Sequence, residues 1–151
     1  MTGQLATGWD PAQYLRYADE RSRPFFDLLA RVPASSPSLV IDLGSGPGTL
    51  TRTLAERWPD ADVIGVDSSE EMITRAESES SFARLTYMCA DVRSWLPPSG
   101  REPDVVVANA VLQWIPGHLG LIETIAGWLA PGGSFAFQVP ANFDSPSHVV
   151  I

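Results

Sequence analysis

The sequence predicts an α/β domain, a parallel sheet of five strands covered by helices on both faces. Three observations point there. Short apolar stretches of strand character alternate with helical stretches along residues 38–140. One of them, Asp104–Ala108, reads Asp-Val-Val-Val-Ala, the β-branched run of a strand buried on both faces. The first, Leu39–Leu43, runs directly into a glycine-rich turn, Gly44-Ser45-Gly46-Pro47-Gly48, that opens a helix.

Each element has its own signal. Asp10-Pro11 starts a short helix to about Ala18, with Asp as N-cap and Pro in the first turn. A second helix runs from about Arg21 to Arg31, with Phe25, Phe26, Leu28 and Leu29 as its apolar face. Pro33-Ala34-Ser35-Ser36-Pro37 is a loop. After the strand Leu39–Leu43 come a helix over Thr49–Trp58 and a strand over Asp62–Val66. The next helix starts near Ser69, where Ser68 and Glu71 fit a capping box. Strands follow at Leu85–Cys89 and Asp104–Ala108. A helix over Leu119–Leu129 is stopped by Pro131-Gly132-Gly133, and Ser134–Val139 is the fifth strand. The organisation is a single domain over residues 1–151: an N-terminal helical cap (1–33), the alternating core (38–140) and a tail (141–151).

Composition narrows the chemistry. A chain of 151 residues with 44% hydrophobic content can bury one substantial core. A net charge of -8 argues against nonspecific binding to nucleic acid or to an anionic membrane surface. All ten basic residues are arginine, so a Schiff-base lysine, a phosphate-loop lysine and a lysine base are excluded. The single Cys89 can form neither an internal disulfide nor a multi-cysteine metal site. The N-terminus lacks a signal-peptide pattern and no apolar run is long enough to span a bilayer, which makes a cytoplasmic protein the expectation.

The glycine turn carries most of the functional information. In parallel sheets ligands bind at the carboxyl ends of the strands, where the strand order reverses. Asp42 stands two positions before Gly44, and Asp67 ends the second strand. Acids at the ends of neighbouring strands repel a phosphate and suit a cationic nucleoside. A dinucleotide fingerprint would need glycine at position 49; here Thr49 stands there and the extra glycine is Gly48. S-adenosylmethionine meets both points: it has no phosphate, and it carries an ammonium and a sulfonium. Its carboxylate can use free N–H groups near the helix start, while Gly44, Gly46 and Gly48 let the backbone approach it. Asp67 can accept from both ribose hydroxyls, with Ser68 beside it. Asp91 can accept from the adenine amine while the Val92 N–H meets a ring nitrogen; capping a short turn through Trp95 is the structural alternative. Met72 and Ile73 suit an adenine face or ordinary core equally. Asn109 would lie beside the reactive end of the cofactor, with Gln113 and Trp114 near the acceptor, although a Trp there can equally be core. His118 begins a surface helix, and His148 is open to either role.

Taken together, Asp42-Leu43-Gly44-Ser45-Gly46-Pro47-Gly48, Asp67, Asp91 and Leu129-Ala130-Pro131-Gly132-Gly133 resemble, in order, the class I S-adenosylmethionine-dependent methyltransferases. That resemblance implies a three-layer Rossmann-like sheet in the strand order 3-2-1-4-5, lacking the last two strands of the full family fold. It implies S-adenosylmethionine as cofactor and S-adenosylhomocysteine as product. A narrower resemblance, to the trans-aconitate 2-methyltransferases, rests on Trp9-Asp10-Pro11, Tyr14, Glu20-Arg21-Ser22-Arg23-Pro24, the run Asn109–Ile115, and Gln138-Val139-Pro140 through Pro146-Ser147-His148. It implies methyl transfer to a carboxylate of a small tricarboxylic acid. Malonyl-carrier-protein methyltransferases look similar at Asn109–Trp114. An acceptor carboxylate is already ionised at neutral pH, so no general base and no metal is expected. Tyr14, Gln113, Trp114 and His148 would line the acceptor space, with Arg21 and Arg23 as anchors for its other carboxylates; solvated helix-start charges are the plainer reading of the two arginines. The resembled enzymes continue beyond the equivalent of Ile151, so a truncated chain is expected. The fifth strand is then an exposed edge inviting homodimer formation by strand pairing. Two other functions compete: a module that holds S-adenosylmethionine without turnover, and a nicotinamide dehydrogenase, which Asp42 and Thr49 disfavour.

Overall fold

The computed structural model describes residue 20 and residues 22–140. The expected helix over 10–18 lies outside the described residues, as do Tyr14, Arg21 and His148. Five parallel strands form one sheet: β1 (Leu39–Leu43), β2 (Asp62–Asp67), β3 (Leu85–Cys89), β4 (Val105–Asn109) and β5 (Ser134–Gln138). Their spatial order is β3-β2-β1-β4-β5, the order the resemblance implies. Among the described residues four helices accompany them: α1 (Arg23–Ala30), α2 (Thr49–Arg57), α3 (Glu70–Glu79) and α4 (His118–Ala126), with a 3-10 turn at Leu112–Trp114. β1 is central, pairing Val40 with Val63 of β2 on one side and with Val105 of β4 on the other. The chain reverses its direction across the sheet between β1 and β4, which makes the carboxyl end of β1 the switch point.

The sheet separates two apolar layers. On one face Phe25 and Leu29 of α1, Leu54 of α2 and Ile73 of α3 pack over Val40, Val63 and Val105. On the other, Ile125 of α4, Leu112 and Trp95 cover Leu39, Ile41 and Val66. Each fully buried aliphatic side chain contributes about 1.5–3 kcal/mol. With both faces covered, all five positions of β1 are buried: four aliphatic side chains and Asp42.

Two local expectations are corrected. The N-cap of α3 is Ser69, whose Oγ accepts from the Met72 N–H at 3.3 Å; Ser68 is exposed and forms no capping box. The cause is Asp67, whose Oδ1 accepts the Ser69 N–H at 2.9 Å and moves the helix start one residue along. Asp104 precedes β4 instead of opening it. Its Oδ2 accepts from the Ser38 N–H at 2.7 Å and the Leu39 N–H at 3.1 Å, tying β4 to the start of β1.

Candidate functional site at the carboxyl end of the sheet

The glycine turn is built by three left-handed residues, Gly44, Gly46 and Gly48, with φ of 77°, 55° and 76°. The N–H groups of Gly44 and Ser45 both donate to the Val66 carbonyl, at 2.7 and 3.0 Å, which stitches the turn to the end of β2. Gly48 is the N-cap of α2, and a Cβ there would run into the Tyr87 hydroxyl of β3. A Cβ on Gly46 would meet nothing within 4 Å, so its requirement for glycine is conformational and its outer face is open.

Asp67 closes one side of the turn. Its Oδ2 accepts the Gly46 N–H at 2.9 Å and its Oδ1 the Ser69 N–H, leaving one lone pair on each oxygen for further donors. Asp42 sits beneath, only 3% exposed. Its Oδ2 accepts from the Thr51 hydroxyl of α2 at 2.7 Å. Burial pushes the Asp42 carboxyl up to about 7; the Thr51 bond pulls it down and the neighbouring Asp67 charge adds to the rise. Neither Asp42 nor Asp67 is paired with an arginine among the described residues. Burial likewise raises the Tyr87 phenol, to about 12, and its hydroxyl donates to the Gly48 carbonyl at 3.4 Å.

The other lip follows β4. Ala110 is left-handed at φ 55° although it is not glycine, a conformation that costs about 1–2 kcal/mol. Three hydrogen bonds hold that corner. The Ala110 N–H donates to the Gln138 carbonyl at 3.0 Å, Gln113 Nε2 donates to the Ala110 carbonyl at 2.8 Å, and Gln138 Nε2 donates to Asn109 Oδ1. The next residue, Val111, lies against Gly44, so the two lips touch.

The remaining predicted residues separate. Val92 is buried beside Trp95, and Met72 is half-buried on the first turn of α3. Asp91 is gripped by its neighbour Arg93, Nε to both carboxylate oxygens at 3.0 Å, which holds its carboxyl down at about 2. Asp91 also accepts the Ser94 and Trp95 N–H groups on its carbonyl, so it starts the short turn as well. Trp114 is 75% exposed, and Arg23 is exposed at the start of α1. His118 begins α4, as expected.

Sequence reasoning assigned no site role to Thr51, Tyr87 or Ala110, and quoted Gln138 only for the narrower resemblance. A hydroxyl two residues into the helix behind Asp42 was a usable signal for Thr51. A left-handed alanine leaves no mark in a sequence.

This arrangement fits S-adenosylmethionine. Among the described residues the turn presents an open face at Gly46, two acids without an arginine partner, and two buried acceptors without a hydrogen-bond partner, Ser45 Oγ and Gln113 Oε1, one on each lip. Among the described residues no cluster of His, Cys, Asp and Glu could hold a metal, and no helix is long and apolar enough to cross a membrane.

Known proteins bear on this site. The trans-aconitate 2-methyltransferase of Streptomyces avermitilis is 51% identical over 146 residues, 93% of this chain and 54% of that enzyme. That of Mycolicibacterium gilvum is 54% identical over 140 residues, 93% of this chain and 52% of that enzyme. The chain thus spans about half the length of the curated relatives it matches. An S-adenosylmethionine-dependent methyltransferase structure from Mesorhizobium loti superposes with a TM-score of 0.68 at 29% identity, covering 79% of this chain and 53% of that one. A methyltransferase bound to the Trm112 activator of Haloferax volcanii does so with a TM-score of 0.71 at 27% identity, covering 85% of this chain and 56% of that one. The family model described as a methyltransferase domain matches residues 40–133, from β1 to the turn before β5, and the chain belongs to that family.

Proposed function

We propose that this chain binds S-adenosylmethionine and belongs to an enzyme that transfers its methyl group to a carboxylate of a small tricarboxylic acid, trans-aconitate, giving the monomethyl ester. The observation that carries the donor reading is the three-glycine turn flanked by Asp42 and Asp67, neither of them paired with an arginine among the described residues. When bound, S-adenosylmethionine supplies an electrophilic methyl group on a positively charged sulfur. The protein binds and orients. Asp67 takes the ribose hydroxyls, Asp42 favours the cationic end, and Asp91 with the Val92 N–H takes the adenine edge. Met72 packs beside the adenine, and Ser68 and Asn109 border the cofactor. For a carboxylate acceptor no side chain has to remove a proton, so the pocket only aligns the reacting atoms and excludes water. Gln113 and Trp114 are the described residues nearest in sequence to that task; Tyr14, Arg21, Arg23 and His148 are the other acceptor-site candidates. The acceptor reading is supported by the names of the relatives, each matched over about half its length.

Incubation with methyl-labelled cofactor and trans-aconitate, citrate or malonyl-carrier protein tests the acceptor. Label in a trans-aconitate ester is expected. Preferential labelling of the carrier protein would replace this acceptor, and donor binding without labelling of any acceptor would make the chain a binding module. A homodimer paired through β5 belongs to the same proposal. β5 is an edge of the sheet among the described residues, with Phe137 39% exposed. Sedimentation that gives a monomer at every concentration would refute it.

A further inference from the structure

The Thr51 hydroxyl, which the donor-binding proposal leaves unused, is fully buried and faces the acid beneath the glycine turn. It donates to Asp42 Oδ2 at 2.7 Å, and it is the one polar partner of that carboxylate among the described residues. The charged and titratable groups around Asp42 are few. From β2 comes Asp67, and from β3 Tyr87, whose hydroxyl reaches Thr51 and the Gly48 carbonyl. From α2 and α3 come Arg52 and Glu79, which pair with each other at 3.4 Å and act on Tyr87. β4 offers only Val, Ala and Asn side chains.

We propose that Thr51 is a positioning residue for donor binding: its hydroxyl holds the Asp42 carboxylate in the orientation and charge state that a cationic ligand requires. This rests on the donor-binding proposal above. A hydrogen bond to the charged form of an acid favours that form, while burial and a like charge oppose it. At Asp42 burial and Asp67 act in one direction and Thr51 alone in the other. The ligand's ammonium favours the ionised carboxylate, so binding below about pH 7 expels a proton and affinity rises with pH up to that point. Without the hydroxyl, the protonated form persists to higher pH and affinity near neutrality falls.

Calorimetric titration across about pH 5.5 to 9 tests this on the wild-type chain, Thr51→Ser and Thr51→Val. The probes are S-adenosylhomocysteine, which keeps the ammonium, and 5′-methylthioadenosine, which lacks it. Wild-type affinity for S-adenosylhomocysteine is expected to fall about tenfold per pH unit below the midpoint and to level off above it. Thr51→Val should move that fall about one unit upward, weakening binding about threefold or more near pH 7.5 and recovering by about pH 9. Thr51→Ser should follow the wild type, and 5′-methylthioadenosine should bind all three alike at every pH. An unshifted profile in Thr51→Val, or an equal loss for both probes at every pH, would overturn the proposal. If Thr51→Val does not fold, proton release by the wild type decides, measured near pH 6.5 in buffers of different ionisation enthalpy. Release on binding S-adenosylhomocysteine is expected, and its absence contradicts the coupling. A wild type that binds neither probe refutes donor binding itself.

Discussion

Asp42 is a buried carboxylate whose location costs stability and which the donor-binding proposal assigns to a cationic ligand. Its ordinary value is near 3.8 and burial carries it to about 7, so the folded chain holds a proton there that the unfolded chain has already lost. Stability from this group is therefore full below about pH 4 and declines as pH rises to about 7. Asp42→Asn keeps an acceptor for Thr51 and removes the charge. Thermal melting at pH 8 should show the variant more stable by on the order of 2–4 kcal/mol, with the gain gone near pH 4. It should also bind S-adenosylmethionine more weakly. A variant less stable at pH 8 would contradict this account of the buried acid. Asp67 behaves differently, because its two backbone donors stay in place without a ligand. Asp67→Ala should weaken cofactor binding by about 1–3 kcal/mol, the cost of unsatisfied polar partners, and unchanged affinity would remove Asp67 from the site.

The glycine turn is the element that converts strand order into a site. Gly46 and Gly48 share a left-handed backbone and differ in surroundings, which separates two effects. Gly46→Ala should cost about 1 kcal/mol, from φ alone. Gly48→Ala adds a clash with the Tyr87 hydroxyl and should cost about 2–4 kcal/mol in denaturant unfolding. Equal costs would mean that Tyr87 yields freely. The turn and its strands were legible in the sequence because each signal is local: three glycines at fixed spacing, and valine runs such as Val105–Val107. β1 and β3 fall at the expected residues. The shifted cap of α3 was not legible, because Ser68 and Ser69 are equal candidates until the Asp67 carboxylate selects between them through the Ser69 N–H. The Asn109–Gln138 contact was equally hidden, since it joins two strand ends 29 positions apart in sequence.

Across the whole molecule, one sheet brings four chain segments together at its carboxyl end: the ends of β1, β2 and β4, and the start of α2. The proposed donor half of the site rests on acids and glycines, which declare their chemistry by type and spacing. The acceptor half was readable only by resemblance. Trp114 is 75% exposed, and Tyr14, Arg21 and His148 lie outside the described residues. Charge supports the same division. A net charge of -8, with two acids at the carboxyl end of the sheet that pair with no arginine among the described residues, favours a cationic ligand over a pyrophosphate. Side-by-side calorimetry of the wild-type chain with S-adenosylmethionine and with NAD measures that preference directly. Saturable binding of S-adenosylmethionine with no detectable NAD binding is the expected result; tight NAD binding would contradict the assignment of the glycine turn to a methyl donor.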